Sequence, residues 1–236
     1  MRCKLTFNNN IVKYAKKIGV ELNEWAAFVS MTGNTIESCG TQAMKLYPNA
    51  LHTLGASNVM SCGSGYGIYV EGGEVTVNDG ANLTWKKQPV AYIFDGTTTI
   101  ETNLTIEPGT ILSFNAGGRI DFGYSANTTL TAAGTLANPI IFTSSNTSPA
   151  TGAWRGLFMY QHTSPNTVFD YCTFEYAGYD YESCVYIRTV NGITIKNCSF
   201  ENSSGYGIFL DDGATLSANS IDNTFTNISY GNIGSN

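Results

Sequence analysis

Asn10-Ile11-Val12, Asn34-Thr35-Ile36 and Asn58-Val59-Met60 are three copies of one pattern, Asn-x-apolar, set 24 residues apart. Each copy is followed at the same distance by a second alternating segment: Val20-Glu21-Leu22, Met44-Lys45-Leu46 and Ile68-Tyr69-Val70. Self-similarity at a fixed period of this length marks a repeat architecture. Two short strands of period 2 in each unit make that unit one coil of a β-solenoid, because a lone coil cannot bury its apolar face and stacking does. The stacking predicts inward ladders Val12/Ile36/Met60 and Leu22/Leu46/Val70. It also predicts that Asn10, Asn34 and Asn58 exchange side-chain amide hydrogen bonds at a coil bend. Residues 10–24 taken alone fit a helical period through Ile11, Tyr14, Ala15, Ile18 and Leu22. The next two units break that period and keep the strand pattern, so strands are expected.

The pattern returns later in the chain. Gly65-Tyr66-Gly67-Ile68-Tyr69-Val70 matches Gly205-Tyr206-Gly207-Ile208-Phe209-Leu210, and Cys172-Thr173-Phe174-Glu175 repeats as Cys198-Ser199-Phe200-Glu201. These matches are read as the same part of different coils. Between them lie a turn signal at Asn78-Asp79-Gly80, strand-like runs at residues 90–94, 97–100 and 104–106, and a Pro108-Gly109 type II turn signal. The stretches NLTIEPGTILSF, LTAAGTLANPIIFTSS and GAWRGLFM resemble right-handed parallel β-helix repeat proteins of the pectin-lyase-like group, of bacterial secreted or surface type. The resemblance covers about residues 78–236. The expected fold is therefore all-β, a right-handed parallel β-helix (β-solenoid) of about ten coils of roughly 24 residues. It is expected to form one domain over 1–236, with sub-blocks 1–78 and 79–236.

Composition narrows the function. Charged residues are 13% of the chain, the net charge is −6, and the 12 Lys and Arg form no basic cluster. That argues against nucleic acid as a partner, and no apolar run is long enough for a membrane span. The strand pattern already runs at Leu5-Thr6-Phe7-Asn8 and stops part-way through a coil at Ile233-Gly234-Ser235-Asn236, without polar caps. The chain thus reads as a piece of a longer solenoid that continues in the full-length protein. Six cysteines make no Cys-x-x-Cys pair and no zinc site. Cys172 and Cys198 are placed in the column that Asn10, Asn34 and Asn58 occupy, where a disulfide is within reach and buried free thiols are the preferred reading. Seven Asn-x-Ser/Thr triplets are what a chain this rich in Asn, Ser and Thr contains by chance. Scattered Thr-x-Thr segments exclude the flat array that ice binding needs.

The candidate site residues come from stacking. Glu175 and Glu201 should point outward one rung apart. They are either two solvated acids or a Ca²⁺ site completed by Asp180, Glu182 and Asn202. Arg188 and Asp211 should form a cross-rung ion pair. Tyr160, Tyr171, Tyr176, Tyr179, Tyr181 and Tyr186 crowd one stretch with His162 and Asp180, as a glycan-stacking surface would. A ligand-binding face of Glu175, Glu201, Tyr176, Tyr179, Tyr181, Arg188 and Asp211 is expected, while Trp154 is read as structural. The resemblance implies an extracellular or cell-surface solenoid with a structural or glycan-binding role. It also implies the alternative of a polysaccharide lyase or glycoside hydrolase acting on acidic polysaccharide, in which Arg188, Lys196 and Asp211 would carry the chemistry. The hydrolase motifs Asn-Thr-Asp and Gly-His-Gly are absent, so no catalytic residue is assigned and no cofactor beyond Ca²⁺ is implied.

Overall fold

A computed structural model describes residues 3–24, 26–63, 66–76 and 82–236, without the Tyr181 side chain. Gly65 and the Asn78-Asp79-Gly80 turn signal lie outside the described residues. The chain winds as a right-handed parallel β-solenoid whose coils share one interior. One sheet runs the length of the stack, with nine parallel strands from Val20–Glu21 to Thr224–Ile228. It marks about nine turns, close to the ten expected. After each of its later strands the chain enters a seven-stranded sheet (Gly73–Val75 to Gly231–Ser235). It then enters a six-stranded sheet (Leu83–Trp85 to Thr215–Leu216) and returns.

The first coils use shorter sheets on the other two faces, Cys3–Asn8 with Ala26–Thr32, and Ile11–Lys13 with Thr35–Cys39 and Val59–Cys62. The 3₁₀ turn Pro48–Thr53 packs between Ala26–Thr32 and Gly73–Val75 and takes the place of a rung. Pro48 has no N–H to give a ladder, so a turn rather than a strand forms there. The nine-stranded sheet alone passes this level without interruption.

The repeat holds in register: Val12 pairs with Ile36 and Ile36 with Met60, while Val20, Met44 and Ile68 form the next column. Residues 10–24 are strands and turns, as the repeat requires. The Asn column also forms. Asn10 Nδ2 donates to Asn34 Oδ1 at 3.1 Å and Asn34 Nδ2 to Asn58 Oδ1 at 2.9 Å, and each Oδ1 also accepts the backbone N–H of the Asn one coil before. Asn34 and Asn58 are buried at the corner, where every amide must find a partner.

Later coils depart from this period. Along the nine-stranded sheet, Tyr92 pairs with Leu112, short of a full repeat, whereas Phe142 pairs with Phe174, well beyond one. Extra residues enter at corners, which a solenoid tolerates because each rung answers only to its neighbours. The interior there is a pile of rings. Phe142, Phe174, Phe200 and Phe225 stack at 4.9, 4.8 and 4.9 Å, within 10° of parallel. Phe114 stacks on Trp154 at 4.1 Å.

Two alignments of the sequence are corrected. Ile68 lies on the nine-stranded sheet but Ile208 on the seven-stranded one, so the Gly-x-Gly-apolar-x-apolar segments occupy different faces. That pattern encodes a strand entered through a tight corner, and every face of the coil has one. For the same reason Cys172 opens and Cys198 precedes a strand of the nine-stranded sheet, whereas Asn10, Asn34 and Asn58 precede strands of the three-stranded one. All six cysteines are free. No helix among the described residues is long and apolar enough to cross a membrane.

Candidate functional site

The expected ligand face is not one surface. Glu175 and Glu201 do stack in register, half-buried on the nine-stranded sheet. Arg188 pairs with Asp211 on the seven-stranded sheet, with Nε 3.7 Å from Oδ2, as the stacking argument requires. Lys196 ends a strand of the six-stranded sheet, with Nζ 3.2 Å from Asp170. The pieces of a lyase-like set, Arg188 with Lys196, are therefore on different faces. Residues close in sequence here turn a corner between them, and a corner of a coil separates outward side chains more than a rung does.

Three of the residues expected as Ca²⁺ donors have other partners. Glu182 is held by Arg155, Asn202 Oδ1 accepts from Asn227 at 2.8 Å, and Glu201 accepts from Ser199 Oγ at 2.5 Å. Among the described residues no three His, Cys, Asp or Glu come together as metal ligands would. The tyrosines divide likewise. Tyr171 and Tyr176 sit at corners with φ of 47° and 63°, Tyr179 is exposed on a 3₁₀ turn, and His162 is exposed at a separate polar hollow. Tyr181 lies outside the described side chains.

What the structure does bring together lies on the outer surface of the seven-stranded sheet. Asp121, Phe158, Tyr186 and Phe209 form one outward column, paired rung by rung. Phe158 and Tyr186 ring centroids are 5.3 Å apart, and those of Tyr186 and Phe209 5.8 Å. Tyr206 packs beside Phe209 at 5.2 Å and meets Tyr230 edge to face at 5.6 Å. Tyr186, Tyr206, Phe209 and Tyr230, with Glu182 and Ser183, line a cavity of about 310 Å³. A stacked column turns ring edges outward. The walls of this cavity, where the stack ends, are where aromatic surface remains open to a ligand.

The segment Gly152-Ala153-Trp154-Arg155-Gly156 sets one rim of this face. Trp154 turns inward to the ring pile, and its Nε1 donates to Glu175 O at 2.7 Å. Gly156 has φ of 135°, and a Cβ there would lie 2.1 Å from Ser183 O, so only glycine lets the rungs meet. Between them Arg155 faces outward and grips Glu182 with two bonds, Nε at 3.0 Å and an Nη at 2.8 Å.

Two more ion pairs edge the face. Arg119 contacts Asp121 at 2.8 Å, and its guanidinium lies 4.7 Å above the Phe158 ring. Asp121 is 5% exposed, Oδ1 has no partner, and burial pushes its carboxyl above the usual range despite Arg119. Tyr186 donates its hydroxyl to Asp211, while Arg188 and Asn236 also approach Asp211. These contacts, the Tyr186 bond first, hold the Asp211 carboxyl below its ordinary range. Ser183, a lining residue, is fully buried and its Oγ has no hydrogen-bond partner.

Sequence reasoning finds Tyr186, Arg188 and Asp211 and misses Asp121, Arg155, Phe158, Ser183, Tyr206, Phe209 and Tyr230 as a group. The steps along the column, from Asp121 to Phe158, to Tyr186 and to Phe209, shorten at each rung, so no fixed period joins them.

Comparison with known proteins gives one match. A family model described as a right handed beta helix region matches residues 47–236, more than half the chain. No curated protein matches, and no solved structure matches.

Proposed function

The chain belongs to the right-handed β-helix family, and from that premise we propose a non-catalytic solenoid module, extracellular or at a cell surface, that binds glycan. The observation that supports this reading is the open-ended aromatic column at Tyr186, Tyr206, Phe209 and Tyr230, rimmed by polar groups. Sugar rings present C–H faces to aromatic rings and hydroxyls to polar side chains, and such cavities serve them.

A second reading, glycoside hydrolysis, is favoured by Asp121. Its carboxyl is buried and pushed toward the protonated form, while Glu182 is clamped by a guanidinium. Two carboxyls in such different settings resemble the pair that a glycoside hydrolase uses. The binding reading is preferred because Asp121 lies beneath the face at 5% exposure and already contacts Arg119.

One experiment separates the two. The protein is run through gels containing soluble polysaccharides, neutral and acidic, and the same mixtures are assayed for reducing ends and unsaturated products. Retardation by at least one polysaccharide is expected, lost in a Tyr186→Ala/Phe209→Ala double variant, with no product. Product formation abolished by Asp121→Asn replaces the module with the hydrolase. Retardation by no polysaccharide sinks the glycan reading.

A further inference from the structure

We infer that Cys39 and Cys62 form a modification site, two thiols that the first coils set in position to be joined as a disulfide by exchange with a small-molecule disulfide. The inference does not rest on the glycan reading. A strict 24-residue repeat would place Cys39 opposite Gly63 and leave it without a thiol partner. The wound chain shifts this by one residue. Thr35, Ile36 and Glu37 pair with Val59, Met60 and Ser61, and the register then slips so that Cys39 pairs with Cys62. Ser38 is the extra residue, exposed and with φ of 55°, as a β-bulge leaves it. Past the bulge both cysteines pack against the core, Cys39 at 7% exposure and Cys62 half-buried.

Neighbouring strands lie about 4.8 Å apart, inside the Cα separation of about 4.4–6.8 Å that a disulfide spans. The nearness of the two thiols is also felt in ionisation. Burial raises the Cys62 thiol most, the Ala43 backbone offsets part of this, and Cys39 adds to the rise. The other four cysteines differ. Cys172 and Cys198 are 1% exposed and donate to Ala132 O at 3.3 Å and Lys196 O at 3.1 Å, out of a reagent's reach. Cys184 is fully buried, and Cys3 is exposed but pairs with Ala26. Only at Cys39 and Cys62 does a thiol partner in register coincide with a thiol that meets solvent.

The bond forms in two exchanges. The Cys62 thiolate, its proton released to water, attacks one sulfur of the small disulfide and expels the other as a thiolate. Cys39, deprotonated in turn, attacks Cys62 Sγ and expels the second thiolate. Cys39 and Cys62 are then bonded, and the small disulfide is reduced to two thiols that take up the two protons.

The test incubates the reduced chain with oxidised glutathione at about pH 8.5, where thiolate is present, and maps its peptides without reduction. A Cys39–Cys62 disulfide is expected, with a glutathione adduct on Cys3 and with Cys172, Cys184 and Cys198 free. The melting temperature should rise by about 5–10 °C on oxidation and return with dithiothreitol. Cys39→Ala should stop at a glutathione adduct on Cys62, and Cys62→Ala should leave Cys39 free. Ala15 already stands in this column one coil before, so both variants are expected to keep the wild-type circular dichroism. Cys39 and Cys62 both free after oxidation, or each ending as its own adduct, would overturn the pairing. A melting temperature that falls on oxidation would overturn the claim that the coils set the two thiols in position.

Discussion

In the first coils, Met44 and Ile68 meet their neighbours at a constant offset, and a ladder of three asparagines closes a corner. Beyond Tyr92 the coils are of unequal length, and the interior is filled by stacked rings instead. The contrast follows from what a corner ladder requires. A continuous ladder of amide-to-amide bonds forms only if successive coils turn at the same point with the same backbone. Loops of unequal length at the corners remove that condition, and the register must then be held from within. Flat rings stacked near the rung spacing do this, since a slip of one residue would turn each ring to the outside. The freed corners carry the residues that shape the aromatic cavity: Arg155 and Gly156 after one long loop, Glu182 and Ser183 after another.

The largest effect is expected from the ring pile. Phe174 is fully buried between Phe142 and Phe200, so Phe174→Ala should cost about 3–5 kcal/mol in denaturant unfolding. A loss under about 1 kcal/mol would mean that the irregular half is not held by its rings.

A smaller and more local effect is expected at the corner ladder. Asn34 donates to Phe7 O at 2.7 Å and to Asn58 Oδ1 at 2.9 Å while accepting from Asn10. Asn34→Leu leaves those groups unmatched and should cost about 1–3 kcal/mol. Faster amide exchange should be confined to the coils around Phe7, Asn34 and Asn58, because two of the three faces are interrupted before the later coils begin. Exchange that accelerates equally at Phe174 and Phe200 would show the two regions to be one cooperative unit.

The same contrast explains what can be read from the residues. Ile36 can be placed because its partners, Val12 and Met60, stand at equal distances on both sides, and a constant offset is visible in the chain. Ile208 falls on a different face from the one its match to Ile68 implies, because Gly-x-Gly-apolar-x-apolar describes a local conformation, not a position around the coil. Arg188 and Asp211 are legible as a pair, close to one period apart on adjacent strands. Phe158 and Asp121 are beyond reach, since the chain between them includes a corner loop whose length nothing local dictates. Charge at the end of a strand is legible from stacking, whereas the surface shared by several unequal coils exists only once they are wound.

The smallest expected effect belongs to the outer edge of that surface. Asp211 accepts from the Tyr186 hydroxyl, is approached by Asn236 and Arg188, and titrates below the usual carboxylate range. An acid depressed in the folded state contributes stability that is fully present above its unfolded value of about 3.9 and is lost as pH falls through the lower folded value. Asp211→Asn removes the charge and keeps the size. The gap in melting temperature between wild type and this variant should therefore be constant from about pH 8 to pH 5 and close as the solution is acidified below about pH 4. Tyr186→Phe, which removes the leading contact, should narrow the gap across the whole range. A gap that widens on acidification would reverse the sign of the interaction. It would mean that the Arg188–Asp211–Tyr186 edge is strained by its charges rather than held by them. The aromatic column would then have to keep its place at this end of the sheet through ring packing alone, as the interior does.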